Sequence, residues 1–484
     1  MKDGELSLQI QNAIKWSTLT EVLSKLITPI TNMILARIIA PEAFGIIATI
    51  SMIISFADLV SDAGFQKYII QHVFKDEKEK SNNVSVAFWT NLLLAFFLWG
   101  AIILFSNPLA GLLGSPNMGN VIAIACVQLP LMAFSSIPMA LYKKNLDFKS
   151  LFQMRLLSIF IPLIITIPLA LNGFSYWSII LGTIAIQVSN AVVIFIKTRW
   201  KPSLFFDFKL LKEMISFSVW SLFESISIWF TLWIDTLIIS SALNMYYLGL
   251  YKTSLNMVNS LMAIITATVT TVLFSALSRL QNDNKSFNDM FYKAQKILAY
   301  ITLPLGVIVF LFSDIATSIL LGSKWIEASN IIGIWGLTSA FSIVFSNINS
   351  EVYRSKGKPK LSFIQQIIHL AFLVPTCLIS LKFGFWTFVY ARALIRFQAI
   401  IVGFFIMNYS MKFSTRSILN NTTKPLGFTL IMGILAMILK RISDSVIWSV
   451  FSIIICIIFY GFLIFLFAKK DLRYFENIIK KNGF

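Results

Sequence analysis

Apolar residues in this chain gather into runs of about 20, parted by short polar connections. Runs of that length cross a ~30 Å hydrocarbon core as helices. Lipid offers open backbone no hydrogen-bond partner, so a spanning segment must satisfy its own N–H and C=O groups. The pattern predicts 14 spans, near residues 13–36, 44–67, 84–106, 117–142, 152–172, 175–197, 212–241, 247–276, 292–313, 326–352, 361–381, 384–408, 425–440 and 446–468. The thirteenth is the shortest. The expected fold is therefore an all-α integral membrane protein.

The runs are also copied. Residues 104–115 read LFSNPLAGLLGS, and residues 311–323 read LFSDIATSILLGS. Tyr142 and Tyr353 lie 211 apart, as do Gly173-Phe174 and Gly384-Phe385. Ser150 and Gln153 recur as Ser362 and Gln365, and Glu21, Thr28 and Asn32 match Glu224, Thr231 and Asp235. Spans 1–6 thus correspond to spans 7–12, with the last two appended. The expected organisation is 1–205, 206–410 and 411–484. Six is even, so both copies enter the membrane from one side and form a parallel repeat, the plan of transporters that hold their site between two bundles.

Polar positions inside the runs keep helical spacing. Glu21, Lys25, Thr28 and Asn32 share one helix face, as do Ser51, Ser55, Asp58 and Asp62. Glu224, Thr231 and Asp235 repeat the pattern, and Arg392 and Arg396 share a face of the twelfth span. Arg392 is eight residues beyond Gly384, roughly 12 Å deep at 1.5 Å per residue. Eight such charges facing lipid would cost on the order of 24 kcal/mol at about 3 kcal/mol each. They are expected to face one another or a wet cavity between the copies. The plain alternative for Glu21 and Lys25 is a self-neutralising i, i+4 pair, and Asp58 and Asp62 lie near a helix end.

The copies differ where it matters. Lys25 maps onto Ile228, and Arg392 and Arg396 onto Leu181 and Ala185. Cations that duplication does not explain suit an anionic substrate, since Arg grips phosphate oxygens with two donors and Lys adds a point charge. Lys25, Arg392 and Arg396 are the candidate substrate-binding residues. Glu21, Asp58, Asp62, Glu224 and Asp235 are candidates for coupling to a proton or sodium ion, because burial near other acids raises a carboxylate pKa. Pro29, mid-way along the first span, is either a gating kink beside Lys25 or an ordinary membrane proline.

The net charge of +18, from 40 Lys and Arg against 22 Asp and Glu, would suggest nucleic acid until it is placed. Most of those cations lie at the termini or in connections after even-numbered spans, as Lys143, Lys144 and Lys149 do. That is a topology signal which sets both termini in the cytoplasm; it leaves attraction to anionic headgroups and removes nucleic acid as a partner. The first run carries Lys15, Glu21, Lys25 and Arg37 with no cleavage-site pattern, and is expected to be a retained helix. Cys126, Cys377 and Cys456 all sit in apolar runs and suggest neither disulfides nor metal. His72 and His369 are isolated in sequence and read as structural. No catalytic residue and no cofactor is expected.

LARIIAPEAFGIIATI (35–50), DAGFQKYII (62–70), ALYKKNLDFKSL (140–151), YLGLYKTS (247–254) and VYRSKGKPKLS (352–362) together resemble bacterial polysaccharide flippases. The branch most similar is the colanic-acid and lipopolysaccharide exporter type of the multidrug/oligosaccharidyl-lipid/polysaccharide exporter superfamily. The resemblance implies two six-helix bundles around a V-shaped cavity in the bacterial inner membrane. It implies passage of an undecaprenyl-diphosphate-linked oligosaccharide to the outer leaflet for surface polysaccharide biosynthesis, with membrane lipids, a polysaccharide polymerase and export machinery as partners. A multidrug antiporter of the same superfamily is the near rival, though it prefers cationic drugs. A sugar polymerase or glycosyltransferase is the rival of another class, and lacks here the sizeable extramembrane loop it generally needs. A scaffold that only binds partners would not require so many buried charges.

Overall fold

The computed structural model describes residues 3–198, 200–469 and 471. Among them every regular element is helical. The first compact unit, Met1–Lys252, holds α1 (Asp3–Ile38), α2 (Pro41–Asp62), α3 (Phe65–Gln71), α4 (Glu77–Leu104), α5 (Ser106–Leu112), α6 (Gly119–Ala125), α7 (Gln128–Lys144), α8 (Phe148–Ile161), α9 (Ile167–Leu171), α10 (Tyr176–Lys197), α11 (Phe208–Ala242) and the start of α12 (Met245–Arg279). The second, Thr253–Phe484, holds the rest of α12, then α13 (Asn284–Leu311), α14 (Ser313–Leu320), α15 (Ser329–Ser342), α16 (Asn349–Ser355), α17 (Pro359–Leu381), α18 (Phe385–Leu394), α19 (Arg396–Met411), α20 (Thr415–Lys440) and α21 (Val446–Phe467).

Among the described residues, 12 helical segments are long and apolar enough to cross a membrane. They match the second to seventh and the ninth to fourteenth predicted spans. α1 and α12, of 36 and 35 residues, occupy the first and eighth positions but are not among the 12. Only described residues enter that count, and α12 carries undescribed positions within its apolar stretch, so 14 stands as an expectation. The thirteenth span is longer than expected, because α20 runs through polar Asn420 to Lys424 before its apolar stretch.

Several spans are broken where the sequence supplies a cause. A π-turn covers Pro162–Thr166 between α8 and α9, beginning at a proline that cannot donate to the helix ladder. A second π-turn, Ile343–Asn347, separates α15 from α16. Pro29, by contrast, lies inside a single unbroken α1. Helix starts are capped by short acidic or hydroxyl side chains. Asp76 accepts from the Glu79 amide while Glu79 Oε2 accepts from the Lys75 amide, and Asp147, Asp207 and Asp283 cap α8, α11 and α13.

The duplication is written in the backbone. In each copy a 28-residue helix, α4 or α13, ends at a Phe with φ near −105°, and a short helix follows. Each ends with a left-handed glycine nearby, Gly114 (φ 67) or Gly322 (φ 95). Leu146 (φ 57) and Gly357 (φ 66) close α7 and α16 with the same turn: the amide five residues on returns to the carbonyl of Tyr142 at 2.9 Å and of Tyr353 at 2.8 Å. Gly173 (φ 85) and Gly384 (φ 101) open α10 and α18. At Gly173 and Gly384, where nothing would crowd a Cβ, the turn geometry rather than contact explains the repeat of glycine.

Packing follows the pattern of small residues. In the first unit, Gly45 of α2 and Gly249 of α12 abut, and a Cβ on Gly45 would lie 2.0 Å from the Met245 carbonyl oxygen. In the second, α20 and α21 pack on α13 through Met432, Ala436, Cys456 and Tyr460 against Tyr300, Ile308 and Phe312. The outer faces of α21 leave Ile447 and Phe465 exposed. In a spanning helix such side chains face acyl chains.

Candidate functional site

The second unit builds a cluster around Trp335, which α15 buries to 4% exposure. The Arg392 guanidinium lies 5.3 Å from the centroid of the Trp335 ring, and that of Arg396 lies 4.1 Å away. Arg396 Nη1 donates to Ser339 Oγ at 2.6 Å, one turn along α15. Trp335 Nε1 donates to Asn259 Oδ1 at 3.1 Å. His369 of α17 sets its Nδ1 3.0 Å from Gln398 Oε1 and lies within the field of both arginines. Arg392 itself is only 7% exposed.

The two arginines do not lie on one continuous helix. The span breaks at Ile395, where α18 ends and α19 begins. Its amide still returns to Ala391, and its carbonyl accepts from the Gln398 amide at 3.1 Å, a tighter turn than the α-helix makes. Both guanidiniums nonetheless reach the same indole. A cation over an indole face recovers about 0.5–2 kcal/mol but keeps its charge. Two guanidinium groups held at one ring within a membrane span are suited to an anion that presents several oxygens.

The first unit places the remaining candidates. Lys25 Nζ meets Glu21 Oε1 at 2.6 Å as an i, i+4 pair, with both side chains partly exposed. Thr28 and Asn32, on the same face of α1, line a 260 Å³ cavity with Arg155, Ser158 and Thr166. Arg155 Nε donates to Ser24 at 3.3 Å. Asp58 and Asp62 are neighbours on the last turns of α2. Asp62 takes hydrogen bonds from Gln66 and from the Gly64 amide, yet its Oδ1 is buried without a partner. Glu224 is exposed on α11, one residue before Ser225, to which Lys67 Nζ donates at 3.4 Å. Among the described residues no group of three or more His, Cys, Asp or Glu side chains is arranged to hold a metal ion.

Asp235 is engaged on both oxygens. Its Oδ2 accepts from the Tyr251 hydroxyl at 2.8 Å, its Oδ1 accepts from the Thr236 amide at 2.7 Å, and Lys252 Nζ stands 3.9 Å away over the Trp233 ring. The carboxylate thus ties α11 to the first turns of α12. Asp235→Ala leaves the buried Tyr251 hydroxyl without its acceptor. It is expected to lower unfolding stability by about 2 kcal/mol, read as a fall in melting temperature of the detergent-purified protein. Asp235→Asn, which keeps an acceptor for Tyr251, should lose less; equal losses would contradict the bond's role.

Sequence reasoning missed Trp335, Ser339, Asn259, Gln398 and Arg155, and read His369 as isolated. Arg155 had a signal: it is a charge inside the fifth span, and its repeat equivalent is the apolar Ile367. The others had none, because they come from several spans and only packing brings them together.

The fold is that of a known class of membrane transporter. The chain superposes on the lipid II flippase MurJ in an inward closed conformation with a TM-score of 0.74, at 18% identity, over 94% of this chain and 99% of that one. Residues 34–330 match the family model described as "Polysaccharide biosynthesis protein", so this multi-pass membrane protein belongs to that family. It is similar to the succinoglycan biosynthesis transport protein ExoT of Rhizobium meliloti, 23% identical over 67% of this chain and 65% of that protein. It is also similar to the teichuronic acid biosynthesis protein TuaB of Bacillus subtilis, 21% identical over 89% of each chain.

Proposed function

We propose that this protein flips an undecaprenyl-diphosphate-linked oligosaccharide across the bacterial inner membrane for surface polysaccharide biosynthesis, with both termini in the cytoplasm. The observation that carries the reading is the pair Arg392 and Arg396 on Trp335 inside a membrane span. Family membership and the transport relatives support it. A diphosphate offers the oxygens that two guanidinium forks recognise, and Lys25 adds a further cation in the first unit. The protein moves its substrate and makes or breaks no covalent bond.

Transport by alternating access is coupled, in this reading, to a proton or sodium ion. Asp58 and Asp62 are the carboxylates best suited to it, since Asp62 Oδ1 is buried and unpartnered. Glu21, Glu224 and Asp235 are secondary, Asp235 being already held by Tyr251 and Lys252. A polymerase and export machinery receive the product. The multidrug antiporter reading fits less well, because a cationic drug would be repelled by the arginine cluster.

Deletion of the gene tests the proposal. A lipid-linked oligosaccharide should accumulate on the cytoplasmic leaflet, measured by mass spectrometry of lipid extracts and by its inaccessibility to externally added glycosidase. Unchanged levels and unchanged surface polysaccharide would refute the reading. Coupling is tested separately in vesicles: transport indifferent to both proton and sodium gradients would remove the role given to the carboxylates.

A further inference from the structure

A second cavity, of about 670 Å³, opens in the first unit at the ends of α4, α7, α8 and α10. It lies among the connections after even-numbered spans and shares no lining residue with the cavity beside Thr28 and Asn32. Its volume falls within the roughly 300–1,000 Å³ of small-molecule sites. Its lining mixes apolar groups, Pro138 and Leu141 among them, with polar ones. Tyr142, Asn145 and Ser150 offer a phenol, an amide and a hydroxyl, and Trp200 offers an indole. The charges of the lining balance: Lys80 pairs with Glu77 at 3.1 Å, and Lys197 and Asp147 contribute one charge of each sign. A site for a phosphate would carry surplus positive charge; this one carries none.

Two observations indicate that the space is for a ligand. Trp200 Nε1 is buried with no hydrogen-bond partner, while the ring packs edge-on against Phe88 at 5.7 Å. A buried donor left unmet is costly, and because Trp200 lines the cavity, a small turn of its indole would bring the N–H to an incoming hydroxyl oxygen. The repeat supplies the second. In the other copy the equivalent tyrosine, Tyr353, is fully buried and donates to Gln365 Oε1 at 3.2 Å. In this copy the equivalent glutamine, Gln153, accepts instead from Lys197, and Tyr142 lines open space beside Thr198, to which its hydroxyl is hydrogen-bonded. The same motif is closed in one half and opened in the other.

We infer that this cavity is a binding site for a neutral hexose or hexosamine. A sugar presents hydroxyls in every direction and no net charge, which matches a charge-balanced ring of donors and acceptors beside an aromatic N–H. The sugar is either part of the glycan awaiting transport or a free sugar in the same compartment. The inference does not depend on the transport reading, because binding is measured without transport.

The test is saturation-transfer NMR on the full chain in detergent, with glucose, galactose and N-acetylglucosamine as probes and sodium pyrophosphate as the anion control. At least one sugar should bind. Trp200→Phe, which keeps the ring packing and removes the N–H, should weaken it about fivefold, the effect of one hydrogen bond. Asn145→Ala, at an exposed position, should weaken it similarly with an unchanged melting temperature. Binding of none of the sugars, binding unaffected by both substitutions, or displacement of the sugar by pyrophosphate would each overturn the inference. The source is decided by Asn145→Cys labelled with a polyethylene-glycol maleimide, since Cys126, Cys377 and Cys456 are all buried. Lost export assigns the sugar to the transported glycan; normal export assigns it to a free sugar.

Discussion

Arg392→Ala combined with Arg396→Ala is expected to abolish surface-polysaccharide export while the protein remains in the membrane at normal levels. Each guanidinium would contribute about 1.5–3 kcal/mol through charge-assisted bonds to a diphosphate. Losing both would remove roughly 3–6 kcal/mol, or about 10²- to 10⁴-fold in affinity. Stability should suffer little, because taking out both cations also removes a repulsion at the Trp335 ring. Arg396→Lys separates charge from shape. It keeps the positive charge but loses the fork that reaches Ser339 and the flat face that stacks on Trp335. Export should fall between the two extremes. The readouts are cell-surface polysaccharide by immunoblot and protein level by membrane western blot. Normal export in the double variant would sink the assignment.

Gly45→Ala and Gly249→Ala should each destabilise the protein more than any exposed substitution. A methyl at Gly45 would sit 2.0 Å from the Met245 carbonyl oxygen, and one at Gly249 would sit 1.8 Å from that of Pro41. Both obstacles are backbone, which cannot rotate aside. Overpacking of side chains costs typically about 1–3 kcal/mol, and here α2 and the start of α12 must move apart bodily. The two losses should not add. Once the helices separate to admit one methyl, the second meets less resistance, so the double variant should lose less than the sum. Melting temperatures of the four proteins measure this. Additive losses, or an alanine tolerated at either position, would contradict a backbone-to-backbone contact between α2 and α12.

Part of this molecule is legible in its repeat. The LFS…LLGS pair, the two tyrosines and the two Gly-Phe steps all mark places where the backbone takes the same turn twice. Turn geometry demands particular residues, and so it leaves a trace in sequence. Apolar runs likewise predict the spans because the bilayer imposes one length on all of them. The same subtraction of copy from copy singles out Arg392 and Arg396, which the structure brings to one indole. It does not find the cavity beside Tyr142, because the tyrosine and the glutamine are the same in both copies and only packing shows that Gln153 has turned to Lys197.

By itself, then, the sequence determined the helical class, the doubled plan and the presence of cations within the membrane. Each follows from a local rule: backbone satisfaction in lipid, turn conformation, or the cost of burying charge. Only the tertiary structure decided the neighbours. Trp335, Ser339, His369, Gln398 and Asn259 come from four different spans. What joins them is side-chain packing between helices, and packing has no period along the chain. The break at Ile395 belongs to the same category, since nothing in FVYARALIRFQ marks a stop.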